Sequence, residues 1–130
     1  MGMPVAVEGD RVAAVDQHLV VQLAPPGATM TLPLRFSGAL EGALSPTVRV
    51  CGRPVATLGS QATNRPPHLP PAGTSFVRPP SNAATVVRGS ATVFVNGRPV
   101  ARAGDPATTC NDPADRAAGV ISSNSTVLAG

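Results

Sequence analysis

The sequence predicts an all-β chain built from a recurring β-hairpin unit set about a pseudo-threefold axis. Three observations carry this. Ser45–Thr63 (SPTVRVCGRPVATLGSQAT) and Ser90–Thr108 (SATVFVNGRPVARAGDPAT) match at a constant offset of 45 residues. Pro4-Val5-Ala6 followed by Gly9-Asp10 is a third copy of the second half, which makes Pro4, Pro54 and Pro99 equivalent positions. Gly and Pro together make up 28 of the 130 residues and recur along the chain, so long helices are not expected. Repetition of this kind sets the fold, because a single unit rarely buries its own face.

The clearest unit is Ser90–Cys110. Thr92 to Val95 are β-branched or aromatic and favour a pleated strand. Asn96-Gly97 supplies two residues that tolerate positive φ, the strongest short-range signal for a type I′ hairpin turn. Val100 to Ala103 then reads as the returning strand, with Pro99 at its start because proline has no N–H to give to a ladder. Gly104-Asp105-Pro106 ends it with turn chemistry. Cys51 takes the turn place of Asn96 in the other copy, and Thr126–Gly130 (TVLAG) resembles the first half of a further hairpin. Between the units, Gln22–Pro46 and Asn64–Pro80 read as proline-rich extended loops, where proline lowers the entropy lost on ordering.

Composition narrows the function. The chain has 130 residues, within the length of one domain, and only three aromatics: Phe36, Phe76 and Phe94. A core of Val, Ala and Leu gives modest burial per side chain. With 13 Gly and 15 Pro, the composition suits a turn-rich fold. All 10 basic residues are scattered arginines, the net charge is +3, and stacking platforms are absent, so nucleic acid is not an expected partner. No signal-peptide core precedes Asp16 and no run approaches a membrane span. Synthesis in the cytoplasm, without a cleavable signal, is the expectation. There is no Gly-rich phosphate loop, no H-E-x-x-H and no nucleophile elbow, so Cys110 beside a histidine is a weak basis for an enzyme.

The candidate site comes from two histidines and a thiol. His18 follows Pro4 by fourteen residues, and His68 follows Pro54 by fourteen. In the third copy the ligand-capable residue is Cys110, eleven residues after Pro99. Without a secretory signal the thiols are expected to be reduced, which favours metal or plain packing over a disulfide. Repeats wound about a common axis would bring His18, His68 and Cys110 together, and two imidazoles with a thiolate suit Zn²⁺. One structural zinc would pin the second loop to a thin core. Cys51, at a turn without a ligating equivalent, is disfavoured as a ligand.

Pro99-Val100-Ala101-Arg102 with Gly104-Asp105, the S-x-T-V-x-V-x-G-R-P hairpins and Thr108-Thr109-Cys110 resemble the proline-alanine-alanine-arginine (PAAR) proteins of contractile injection systems and phage tails. The resemblance covers residues 1–130 as one domain. It implies a small conical fold with the metal, usually zinc, near its point. It also implies a spike tip, one copy on a trimeric VgrG-like protein, that touches a target envelope transiently, joins an injection particle and forms no stable homo-oligomer. His18, His68 and Cys110 match three of the family's usual three-histidine, one-cysteine ligands. The remaining histidine is expected beside Phe36-Ser37-Gly38, where this chain has Leu34-Arg35, which leaves water, Cys51, a partner residue or a three-coordinate site. The motif's middle alanine is Val in all three copies, and only the third keeps the arginine. A free-standing zinc-stabilised binding module is the competing expectation.

Overall fold

The computed structural model describes residues 2–130. Their elements are all β: β1 (Met3–Pro4), β2 (Arg11–Leu23), β3 (Pro26–Gly42), β4 (Arg49–Val50), β5 (Arg53–Pro54), β6 (Gln61–Asn64), β7 (Thr74–Phe76), β8 (Ala83–Val86), β9 (Phe94–Val95), β10 (Arg98–Pro99), β11 (Pro106–Thr109), β12 (Arg116–Ser122) and β13 (Leu128–Ala129). The largest sheet runs β12-β11-β8-β6-β3-β2 and closes on itself where β12 also pairs with β2. Closure removes the exposed edges that an open sheet would present. Three antiparallel arms make the ring: β2–β3, β6–β8 and β11–β12, each following one Pro-Val-Ala segment.

The pseudo-threefold axis is visible in the backbone hydrogen bonds. Ala6 N–H donates to Ala101 C=O at 2.8 Å, Ala101 N–H to Ala56 C=O at 2.9 Å, and Ala56 N–H to Ala6 C=O at 2.9 Å. Isolated bridges cycle in the same sense: Val5 with Arg102, Val100 with Thr57, Val55 with Val7. The three alanines are fully buried. A methyl group is what fits where three segments meet at one axis, and alanine stands at this position in every copy. Above the alanines sit Val12, Ala62 and Ala107 with Leu40, Val86 and Ile121; below them sit Val5, Val55 and Val100.

The turn after each alanine is also repeated. Gly9, Gly59 and Gly104 take φ of 90°, 91° and 88°, a region that favours glycine. The next residue turns its side chain back onto the chain: Asp10 accepts from Val7 N–H at 2.9 Å, Ser60 from Thr57 N–H at 2.9 Å, and Asp105 from Arg102 N–H at 2.8 Å. In the third copy Arg102 adds a two-pronged contact to Asp105, from Nε at 3.0 Å and from its terminal nitrogen at 2.8 Å. Arg102 therefore clamps the turn that launches β11.

Two expectations need correction. Val100 to Ala103 follow their own hairpin only at Val100, whose N–H donates to Val93 C=O at 3.0 Å and whose C=O accepts from Ser90 N–H at 2.8 Å. Ala101 to Ala103 pair with neighbouring copies instead. The hairpin's turn does hold, with Asn96 at φ 53° and Gly97 at φ 77°. Second, Gln22–Pro46 is not a loop: Pro26–Gly42 forms a 17-residue strand pairing with β2 from Leu23 back to Arg11. Pro33 is tolerated because β6 pairs with β3 only from Gly38 to Gly42, so the outer edge of β3 around Pro33 serves no second strand. The TVLAG segment does act as the first half of a further hairpin: β13 pairs with β1, which supplies the second half, with Val5 N–H donating to Val127 C=O at 2.8 Å.

Away from the alanine ring the sheet thins. β6, β8, β11 and β12 end near Asn64, Ala83, Thr109 and Arg116, while β2 and β3 continue, joined by β7 on Val20–Gln22. Six strands become three towards the Leu23–Pro26 turn. The candidate site lies where that reduction happens.

Candidate metal centre

β2 supplies two of the site's side chains. Asp16 and His18 are two residues apart on one strand, so both point to the same face, and both are buried. His68 comes from the proline-rich loop that follows β6, and Cys110 immediately follows β11. Both are buried as well. One donor atom from each of Asp16, His18, His68 and Cys110 lies within 4.8 Å of all the others. The three sequence-derived candidates are thus brought together. The fourth group beside them is Asp16. Cys51 is exposed on the β4–β5 turn, its sulfur 3.9 Å from Thr126 Oγ1, and lies outside the cluster.

Asp16 is the hub. Its Oδ1 accepts from Thr109 Oγ1 at 2.6 Å and from Asn111 Nδ2 at 3.5 Å. Its Oδ2 faces His68 Nε2 at 2.8 Å and Cys110 Sγ at 3.5 Å. One oxygen is therefore anchored by the scaffold and the other is aimed at the remaining donors. Leu34, where the resemblance looked for a histidine, stands directly opposite Asp16 in the β2–β3 register. The carboxylate reaches the cluster from the neighbouring strand.

Two asparagines set the tautomer of His68. Ser37 N–H donates to Asn64 Oδ1 at 2.9 Å, and His68 N–H donates to Asn82 Oδ1 at 2.8 Å. Backbone donors cannot be reversed, so both amides are fixed. Asn64 Nδ2 then points at Asn82 Oδ1 at 3.1 Å and His68 Nδ1 at 3.2 Å. Nδ1 is the acceptor, and the ring proton sits on Nε2, shared with Asp16. A cation bound at Nε2 takes the place of that proton.

His18 is the exception in this network. It is 1% exposed, and neither ring nitrogen has a hydrogen-bond partner. Nδ1 lies 3.5 Å from Asp112 Oδ2, close enough for charge attraction but without hydrogen-bond alignment. Leaving a buried polar group unsatisfied costs about 1–3 kcal/mol. Phe76 packs edge-on against His18 at 5.7 Å between ring centroids, and Phe36 packs against His68 at 6.3 Å. These rings wall the site from water.

The donor set fits a divalent metal. Tetrahedral Zn²⁺ ligands stand about 3.4 Å apart at ordinary bond lengths, and the 2.8 and 3.5 Å separations around Asp16 Oδ2 bracket that spacing. Burial pushes the Cys110 thiol up to about 11, with the Asp16 carboxylate adding to the effect and the Asn82 backbone opposing it. The thiol is thus protonated at neutral pH until a cation offsets both causes.

Residues 78–130 match the family model of the PAAR motif. The chain carries a PAAR motif. The match spans the third repeat, with Pro99–Arg102, the Arg102–Asp105 clamp and Cys110. The family is structural rather than catalytic. No curated protein matches the chain.

Sequence reasoning missed Asp16, although a signal was present. Asp-x-His on a strand places a second hard donor beside a ligating imidazole. It was hidden because nothing marked this part of β2 as a strand. Thr109 and Asn111, which hold Asp16, gave no signal of their own.

Proposed function

We propose that this chain caps a trimeric VgrG-like spike, one copy per trimer, and sharpens it for passage through a target envelope. The observation that carries the reading is the cyclic bonding of Ala6, Ala101 and Ala56. A single chain with that internal symmetry can meet three identical chains end-on, each repeat against one of them. Around the same end, the hairpins β4–β5, β9–β10 and β13–β1 leave Val48, Val93, Phe94, Val127 and Leu128 exposed. Such residues favour burial against a partner. The thinning from six strands to three gives the opposite end its point.

Within this reading His18, His68 and Cys110, completed by Asp16, hold one structural Zn²⁺. The ion would tie the His68 loop to β2 and β11 and stiffen the narrow end. The protein is made in the cytoplasm and then leaves as part of the particle. Co-purification with a trimeric spike protein, followed by light scattering, is expected to give one chain per trimer. Three tips per trimer, or no affinity for a spike, would count against it.

One observation favours a second reading, a module that folds around Asp16 without any ion. Asp16 already accepts from Thr109, Asn111, His68 and Cys110. Elemental analysis of freshly purified protein separates the two: about one zinc per chain supports the first, and none supports the second.

A further inference from the structure

Asp112 places its Oδ2 3.5 Å from Nδ1 of His18, and it is held at several points. Segment 111–112 is strapped to the free edge of β2 on both sides of His18. Gln17 N–H donates to Asn111 Oδ1 at 2.7 Å, and Asp112 N–H donates to Gln17 C=O at 2.8 Å. Leu19 N–H donates to Asp112 Oδ2 at 2.7 Å. The other carboxylate oxygen accepts from Arg78 Nε at 3.0 Å, and Arg78 also reaches the Asn111 carbonyl. Asp112 is therefore bonded to the residues either side of His18, and its Oδ2 stands 3.5 Å from His18 Nδ1. Its side chain is only 10% exposed.

Resting on the metal reading above, we propose that Asp112 is the positioning residue of the site. It is an outer carboxylate that holds the proton of His18 on Nδ1 and so presents Nε2 to the ion. The chemistry is general. A ligating imidazole commonly gives its second N–H to a carboxylate, which fixes ring orientation and tautomer and raises ligand basicity. His68 receives no such help, because its Nδ1 faces the amide nitrogen of Asn64. Among the described residues His18 has no hydrogen-bond partner. A bond from Nδ1 to Asp112 would satisfy the one buried nitrogen that no metal can reach once Nε2 is engaged. Arg78 would keep Asp112 ionised and in place from outside.

The test compares wild type with Asp112→Asn and Asp112→Ala. Asn keeps an oxygen for Leu19 N–H, so it preserves the strap if Ala does not fold. Zinc affinity is read by competition with a chromophoric chelator, and the His18 ring is read by ¹⁵N-histidine NMR. In zinc-loaded wild type, His18 is expected to show a protected Nδ1–H. Asp112→Asn is expected to weaken zinc by roughly 10- to 100-fold and to lose that protection, while circular dichroism stays unchanged. Equal zinc affinity in Asp112→Asn, with the Nδ1–H still protected, overturns the inference and leaves the metal reading intact. A wild type that takes up no zinc removes the metal reading, and this inference with it.

Discussion

Replacing Gly38 with alanine tests whether the ring of strands is as tight as its geometry demands. Gly38 pairs with Asn64 across β3 and β6. A Cβ built there meets the Thr63 carbonyl oxygen at 2.5 Å and its carbon at 2.7 Å. Ordinary carbon–oxygen contacts begin near ~3.3 Å, so the strands must part by roughly 0.8 Å. Both opposing atoms are backbone, and no side chain can swing aside. Overpacking of this kind costs about 1–3 kcal/mol, and loosening one or two neighbouring hydrogen bonds adds about 1 kcal/mol each. A total of about 3 kcal/mol corresponds to a fall in Tm on the order of 10 °C for a chain of this length. Gly42→Ala is the control, because its nearest neighbour is the Gln61 side chain at 3.3 Å; a loss below about 1 kcal/mol is expected there. Thermal melts followed by far-UV circular dichroism, with chelator present to keep metal out of the comparison, measure both. Gly38→Ala melting within about 2 °C of wild type would show that β3 and β6 are not closed as described.

The remaining predictions concern symmetry and the site. Ala6→Val, Ala56→Val and Ala101→Val are each expected to destabilise by about 1–3 kcal/mol, and by similar amounts, since the three positions are interchangeable; urea unfolding of the three variants checks this, and one harmless substitution breaks the symmetry argument. The double variant His18→Ala, His68→Ala is expected to lose all bound zinc by elemental analysis, and chelation of wild type should lower Tm by the amount that ligand linkage gives, about 4 kcal/mol at a thousandfold excess over Kd. In metal-free protein at pH 8 a thiol reagent should label exposed Cys51 and spare buried Cys110, whose thiol is held up to about 11; mass spectrometry reads the labelled site. Because that folded value lies above the ordinary value near 9, Cys110 contributes stability below pH 9 that disappears as pH rises towards about 11. Zinc affinity runs the other way, strengthening with pH as the proton becomes easier to displace.

What could be read from the residues is what short-range physics determines. Asn96-Gly97 demanded positive φ and has it. The offset between Ser45–Thr63 and Ser90–Thr108 required equivalent backbones, and the cyclic bonds at Ala6, Ala56 and Ala101 supply them. What could not be read is which strand lies beside which. Val100 returns to its own hairpin as the sequence suggests, but nothing in the sequence names the further partners, Thr57 for Val100 and Val5 for Arg102. The proline-rich stretch around Pro33 was misread because proline's lost N–H matters only if a second strand is waiting for it, and none is there.

The site shows the same division more sharply. Equal counts of fourteen from Pro4 to His18 and from Pro54 to His68 suggested equal positions. Yet His18 is reached along a continuous strand, whereas the chain leaves β6 at Asn64 and reaches His68 through an irregular loop. Two different paths end with their rings 5.0 Å apart. Cys110 stands three places earlier in its own copy and still joins them. The repeat is thus faithful up to the level of Val12, Ala62 and Ala107 and abandoned above it. A threefold core cannot itself make a site of four unlike donors, because symmetry would place the same residue three times. Breaking the repeat at that height lets a carboxylate, two imidazoles and a thiol share one interior, and it is also where β6, β8, β11 and β12 end and the sheet narrows.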